Sequence, residues 1–450
     1  MVFQNKDLRL EDNRALALAS QRAEQLNQPL VVFTVLSPAD YAAHDRSARR
    51  IDFILRALAD LRTRLHQMHV PLFTPVVADR KAIPARVCEW LQAWNASYAY
   101  ANVEYEVDEL VRDREVIERA VEARRKGNGE WDGVFAIVKD YVVVAPGEIL
   151  SGAGKPYSVF SPWYKAWSAR VTGNMHHYVD DQGGVLPNTS AARKHKALAP
   201  LFDEDVPESI EGFELDSAEK AKMAKMWPVG ADVAEQVLER FMTTKLREQV
   251  FQHAVLHDGA EEVDSIRKSR IGEYSDGRVR MDLDGTSRLS PYLSAGLISC
   301  RAALRATMGY GKTKRLNTDH RSGAGPPMWV SEIAWKDFYQ HVLAAFPRVC
   351  RGQPYSLKYR DIVWEENAEH LQRWKEGRTG VPIVDASMRA LKEQGWMHNR
   401  GRMIVAMYLT KNLMINWKDG EKWFMHQLID GDFGSNNGGW QWSVRSRTAT

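Results

Sequence analysis

Between residues 29 and 36 the chain reads Pro29-Leu30-Val31-Val32-Phe33-Thr34-Val35-Leu36, PLVVFTVL. Apart from the proline and one threonine every position is apolar, and no polar residue alternates with them. A strand reads this way when both of its faces are covered, as in a parallel sheet with helices on each side. Ile51, Ile54, Leu55, Leu58, Leu61, Leu65 and Met68 then recur at spacings of three and four, which puts them on one face of a helix. A second apolar run, PLFTPVVA (71–78), follows. Strand, helix, strand repeated in this order implies a parallel sheet wrapped by helices. SYAYANVEY (97–105) and VFAIVKDYVVV (134–144) extend the pattern. No glycine fingerprint follows the first strands, so the usual dinucleotide site is absent.

The pattern changes further along. A polar connection containing Gly, Pro and Ser runs from about Asp181 to Ser217, and helical periodicity dominates after it. Asp232 with Glu235 predicts a capping box ahead of Val233, Val237, Leu238 and Phe241. Pro382 and Gly395 bracket another helix, PIVDASMRALKEQG. RMIVAMYLTKNLMI (402–415) is apolar nearly all round, as expected of a helix buried inside a bundle. The fold class is α/β plus all-α: an N-terminal, Rossmann-like parallel-sheet domain over residues 1–145, a long linker over 146–230, and a C-terminal helical domain over 231–450.

Bulk properties exclude several function classes. With 61 basic and 58 acidic residues in 450 the formal charge is only +3, so overall charge does not signal nucleic acid, although a local basic face remains open. Three cysteines without close pairing, Cys88, Cys300 and Cys350, argue against a disulfide framework or a zinc ribbon. No apolar run approaches the roughly 20 residues that span a bilayer, and the N-terminus is too polar for a signal peptide. The outlying number is 15 tryptophans, nine of them from Trp329 onward.

No hydrolase or zinc motif is present, and SGAGKPYS (151–158) fails as a phosphate loop because Pro156 stands where Ser or Thr should ligate magnesium. DGTSRLSPYLSAGLIS (284–299) gathers Gly285, Thr286, Ser287 and Ser290 at a helix start, a natural anion site when anything binds there. WVSEIAWKDFYQH (329–341) sets Trp329, Glu332, Trp335 and Lys336 on one helical face, and a carboxylate between indoles suits neither an ordinary core nor a solvated surface. GWMHNRGRM (395–403) adds Asn399, Arg402 and Met403, and LIDGDFGSNNGGWQW (428–442) adds Asp430, Asp432 and Asn436. Each cluster could be a satisfied structural network. Together they suggest a cavity for something large, planar and polar, because ordinary cores bury few such groups.

These four stretches together, with KDLRLEDNRAL, ANVEYEVDELVRDREV and KPYSVFSPWYKAW in the first half, resemble the photolyase/cryptochrome flavoproteins, most of all class I cyclobutane pyrimidine dimer photolyases of fungal type. The likeness covers nearly the whole chain. It implies an N-terminal antenna domain, a helical FAD-binding domain, and light-driven electron transfer from reduced FAD that splits pyrimidine dimers in DNA. Tyr274, Thr286, Ser287, Arg288, Leu289, Ser290, Trp329, Arg402, Asp430, Asp432 and Asn436 would hold FAD, with Arg402 paired to Asp430 and Asn436 facing the flavin. Glu332, Trp335, Asn399, Met403 and Trp442 would form the lesion pocket, and Arg278, Lys336 and Arg400 would meet DNA. Trp440, Trp417 and Trp364 would carry electrons between flavin and surface.

The resemblance also implies an antenna chromophore, methenyltetrahydrofolate beside Asp108 and Glu109, with a deazaflavin as the alternative. It implies damaged DNA as the partner, a monomer without membrane attachment, and a nuclear location with the mitochondrion as a second compartment. The competing reading is a cryptochrome-like blue-light sensor without repair; Asn436, Trp335, Trp442 and Met403 argue for repair. The family's first strand precedes DLRL, where this chain has only MVFQNK, and a further segment follows WQW, where it has SVRSRTAT. The expectation is a chain incomplete at both ends and a sheet lacking that strand.

Overall fold

The structure, a computed structural model, describes residues 2–3, 6–127, 129–248, 254–257, 259–310 and 313–445. Five parallel strands, β1 (Val2–Phe3), β2 (Val32–Phe33), β3 (Leu72–Phe73), β4 (Tyr98–Asn102) and β5 (Val134–Val138), form one sheet in the order β3-β2-β1-β4-β5. The strand expected to be missing is therefore present. Val2 pairs with Val32 on one side and Tyr100 on the other, which makes β1 the middle of the sheet. Two residues carry no period of their own, which is why no strand was legible there. Of the unusual ends, Met1, Gln4, Asn5 and residues 446–450 lie outside the described residues.

Both faces of the sheet are covered. Val32 points into a cluster with Leu16 of α1 (Arg14–Gln25) and Leu55, Leu58 and Leu65 of α2 (Ala48–Gln67). Its neighbours Val31 and Phe33 point the other way, onto Val87 and Leu91 of α3 (Ile83–Ala93) and Val116 and Ala120 of α4 (Val107–Lys126). The run of apolar residues at 29–36 follows from this two-sided burial.

The second half is helical: α5 (Phe160–Gly173), α6 (Val233–Thr243), α7 (Ser290–Ala295), α8 (Cys300–Tyr310), α9 (Gly325–Ala345), α10 (Pro382–Gln394), α11 (Asn399–Met407), α12 (Trp417–Gln427) and α13 (Phe433–Arg445). Pro382 opens α10, and Gly395 ends it in the left-handed region at φ +64°. Two local expectations do not hold. Asp232 stands at the N-cap of α6 without a side-chain capping bond, its backbone at φ −112°, ψ 8° instead of the extended geometry a cap adopts. The 402–415 stretch is not one buried helix, because α11 passes into a π turn over Tyr408–Asn412 and buries one face only. Gly401 has a packing reason: a Cβ there would come within 3.1 Å of both Met281 Cε and Ser387 Oγ.

The two halves are locked by buried charge. Arg301 of α8, 1% exposed, reaches Asp12 at 2.8 Å and Asp140 at 2.6 Å, and Arg9 pairs with Asp140 from the sheet side. Burial works to raise the pKa of both aspartates, and the arginines outweigh it, so both stand lowered. Asp337 of α9 accepts from the backbone N–H groups of Val143 and Val144 and from Trp167 Nε1. The apolar stretch after β5 is thus fixed to the helical half.

Candidate functional site

The long helix α9 is the spine of the site. It can start only at a glycine, since a Cβ on Gly325 would fall 1.8 Å from the Ile271 carbonyl oxygen. Four residues on, Trp329 is buried against Phe241, with ring centroids 5.3 Å apart, and Tyr274 meets the same phenyl ring edge-on. One turn further, Glu332 pairs with Arg278 at 2.7 Å. Burial raises the Glu332 pKa, and Arg278 only partly offsets it.

Across from α9, a chain of polar groups converges on Asp430. Arg402 Nη2 donates to Asp430 Oδ2 at 2.7 Å, Ser290 Oγ at the start of α7 donates to the same oxygen at 2.6 Å, and Trp396 Nε1 donates to Ser290 Oγ. The other carboxylate oxygen, Asp430 Oδ1, is buried without a hydrogen-bond partner. Two residues along, Asp432 accepts from Tyr141 Oη and from the Ser435 backbone N–H. Although burial opposes it, the nearby Lys6 and Lys336 and the bonds from Ser435 bring Asp432 down to about 2.

His398 caps α11 by accepting the Arg400 backbone N–H at Nδ1. Its Nε2 must then carry the proton, and that buried donor has no partner. Burial and the charges of Arg402 and Arg278 lower its pKa to about 4, so the ring is neutral at pH 7. Asn436 of α13 donates its amide to the Glu421 carbonyl at 3.1 Å, which leaves its own Oδ1 as an acceptor. One turn on, a Cβ at Gly439 would meet nothing within 4 Å, whereas at Gly438 it would fall 2.2 Å from the Tyr339 ring. Buried polar atoms normally find partners. An acceptor at Asp430, a donor at His398 and bare helix backbone at Gly439 therefore fit a large polar ligand better than an empty core.

Arg288 lies between the rings of Trp227 and Trp396, 4.9 and 5.2 Å from their centroids, and donates to Gln394. Its guanidinium thus braces Trp396. Lys336 likewise faces inward, its Nζ 2.9 Å from the Tyr141 carbonyl oxygen and 3.5 Å from that ring's centroid. Asn399 and Arg400 are exposed at the start of α11, and Met403 is half-buried one turn on. Thr286 and Ser287 are half-buried in the loop before α7, where Leu289 is buried.

Trp335 and Trp442 come together on a groove of about 690 Å³ between α9, α13 and the 354–359 segment, lined also by Phe160, Tyr339, Trp417 and Gln441. Glu332, Asn399 and Met403 are not among its lining residues. Trp440 and Trp417 share one apolar cluster, with Trp364 packed against it. Trp440 meets Phe424 edge-on at 5.2 Å, and Gly420 is needed beneath it, since a Cβ there would fall 2.1 Å from the indole. In the first half, His44 Nε2 lies 3.3 Å from Asp108, and the buried Glu109 has Oε2 without a partner.

Trp396, His398, Phe160 and Tyr141 were not singled out from the sequence. All four stand inside stretches that were, and only their contacts with distant elements set them apart.

Residues 1–181 match the family described as DNA photolyase, and residues 329–450 match the FAD binding domain of DNA photolyase. The chain is 39% identical over 436 residues to the deoxyribodipyrimidine photo-lyase of Neurospora crassa, spanning 96% of this chain and 65% of that protein. To the protein of the same name from Salmonella typhimurium it is 32% identical over 448 residues, spanning 100% of this chain and 82% of the relative. Among solved structures, a class III photolyase from Agrobacterium tumefaciens matches with a TM-score of 0.72 at 24% identity, covering 98% of this chain and 79% of that one, a likeness of fold.

Proposed function

The chain belongs to the DNA photolyase family, and on that footing we propose that it is a deoxyribodipyrimidine photo-lyase, a flavoprotein that uses blue light to split cyclobutane pyrimidine dimers in DNA. The observation that carries this reading is the meeting of Trp335 and Trp442, from two different helices, on one groove that Asn437 and Gln441 also line. Indole faces stack on exposed pyrimidines of any sequence, at roughly 1–3 kcal/mol per base. Enzymes of this family reach their target by extruding it from the duplex, and a lesion already poorly stacked is cheaper to extrude.

FAD fits the unpartnered atoms of the helical half. Asp430, with Arg402 and Ser290 fixing it, and His398 offer an acceptor and a donor; Trp329 and Tyr274 offer apolar walls; Thr286, Ser287, Leu289 and Ser290 offer backbone and hydroxyl groups; Asp432 is held by Tyr141. Arg288 acts through Trp396. Asn436 presents Oδ1, its amide being anchored on Glu421. When bound in its reduced form, FAD supplies the photoexcited electron that opens the cyclobutane ring. Glu332, protonated more readily than an exposed glutamate, can donate from the oxygen not paired to Arg278 to a pyrimidine carbonyl as charge arrives there. Although they lie off the groove, Asn399 and Met403 would flank the lesion with Glu332, as the resemblance implies, and Arg278 and Arg400 would supply charge toward phosphates. Lys336, committed to Tyr141, is left out. Trp440, Trp417 and Trp364, in or against one cluster, would carry electrons toward the surface.

The cavity that Glu109 lines with Asp40 and Arg46, with the exposed Asp108 on the same helix turn as Glu109, would take the antenna, methenyltetrahydrofolate before a deazaflavin. The protein would act as a monomer on DNA, in the nucleus and in the mitochondrion, where DNA lies. The test is repair of an oligonucleotide carrying one thymine dimer by the purified chain, with FAD and reductant, in blue light and in darkness. Light-dependent loss of the dimer supports the reading. No repair with flavin firmly bound would overturn it in favour of a photosensor.

A further inference from the structure

The half-buried Phe160, first residue of α5, lies flat on Trp335. Their ring centroids are 3.6 Å apart and their planes 5° from parallel. Aromatic pairs left to themselves prefer offset or edge-on contacts over this arrangement, so the scaffold imposes it. The imposing contacts can be named. Trp167 Nε1 donates to Asp337 at 2.9 Å and Trp163 Nε1 donates to His341 Nδ1 at 3.2 Å, tying α5 to the same helix that carries Trp335. Phe338 wedges its edge against both rings, 5.6 Å from each at 80° and 84°. Tyr164 stacks behind Phe160 at 5.3 Å. The indole therefore has one face covered by a fixed ring, and its plane is set by α5 together with Phe338 of α9.

We propose that Phe160 is a positioning residue for lesion binding: it backs Trp335 and holds the indole plane so that the opposite face meets the pyrimidine dimer. This rests on the reading of Trp335 as a lesion-stacking residue. Without the backing ring the indole can turn about its side-chain bonds, and a planar partner arriving from the groove then has to order it. That ordering weakens binding without touching the flavin or the electron path.

The test uses the full flavin-loaded chain and four variants, F160A, F160L, F160Y and W335A. Dark binding of a thymine-dimer oligonucleotide and of its undamaged counterpart is measured, together with kcat and KM for repair in light. F160A and F160L are expected to weaken dimer binding about tenfold, equivalent to about 1.4 kcal/mol. Affinity for undamaged DNA and flavin content should stay within twofold of the parent, and KM for the dimer should rise by a larger factor than kcat falls. F160Y, which keeps the flat ring, should bind like the parent. Parental dimer binding by F160L would overturn the proposal, because an aliphatic side chain fills the space without offering a face. A loss of dimer binding in W335A but not in F160A would also overturn it while leaving the role of Trp335 standing. Unchanged binding in W335A would remove the premise itself.

Discussion

Arg301 and Arg402 are both paired to a buried aspartate, yet their surroundings differ. Arg301 is shared between Asp12 and Asp140, and each of those aspartates has both oxygens bonded, by Ser299, Arg305, Arg9 and the Arg14 backbone among others. Arg402 bonds one oxygen of Asp430 and leaves the other without a partner. The first network is complete as it stands and works as a clamp between the halves. The second is complete only with a further donor, as a site for a polar ligand requires. Burial and charge alone do not tell a structural network from a binding one; the tally of satisfied atoms does.

Breaking the clamp should have the largest effect. R301A leaves two aspartates buried without their shared cation and should lower stability by about 3–5 kcal/mol in urea unfolding. A loss under about 1 kcal/mol would mean that the clamp is solvated. R402A leaves Asp430 with the bond from Ser290 and removes a cation that is itself partly exposed, so it should cost less in unfolding than R301A while lowering flavin affinity about ten- to a hundredfold, read as flavin retained after dialysis.

A third way to sharpen the contrast is pH. His398 falls from an ordinary value near 6.5 to about 4 on folding, so between those values the unfolded chain binds the extra proton. Its contribution to stability is full above about 6.5 and is lost as pH falls toward 4. H398Q, which keeps an acceptor for the Arg400 N–H, should make the pH slope of unfolding free energy shallower by at most about 1.4 kcal/mol per pH unit in that window. Equal slopes would contradict a buried neutral imidazole.

The smallest effects concern two adjacent glycines. G438A drives a methyl into Tyr339 and should cost about 1 kcal/mol net of the helix propensity it gains. G439A meets open space and should stabilise the flavin-free protein by up to about 1 kcal/mol while weakening flavin retention.

What was legible in the sequence was periodic or motif-borne. The burial of 29–36 on two faces, the helix of α2 and the Pro382–Gly395 bracket all follow from local pattern. The pairing of Arg402 with Asp430 was legible only through the resemblance. The rest is non-local. β1 is too short for a period and is defined only by its neighbours. The contacts of Lys336 with Tyr141, from the segment after β5, and of Arg288 with two indoles join residues far apart in the chain and have no local signal. Asp232 had the right residue type for a cap but not the backbone angle.

The most direct test of a flavin site at the unsatisfied aspartate is the flavin content of purified D430N beside the parent, with far-UV circular dichroism to establish that both are folded. Stoichiometric flavin in the parent and strongly reduced flavin in a folded D430N is the expected result. Equal flavin in the two proteins, or none in a folded parent, would contradict the assignment.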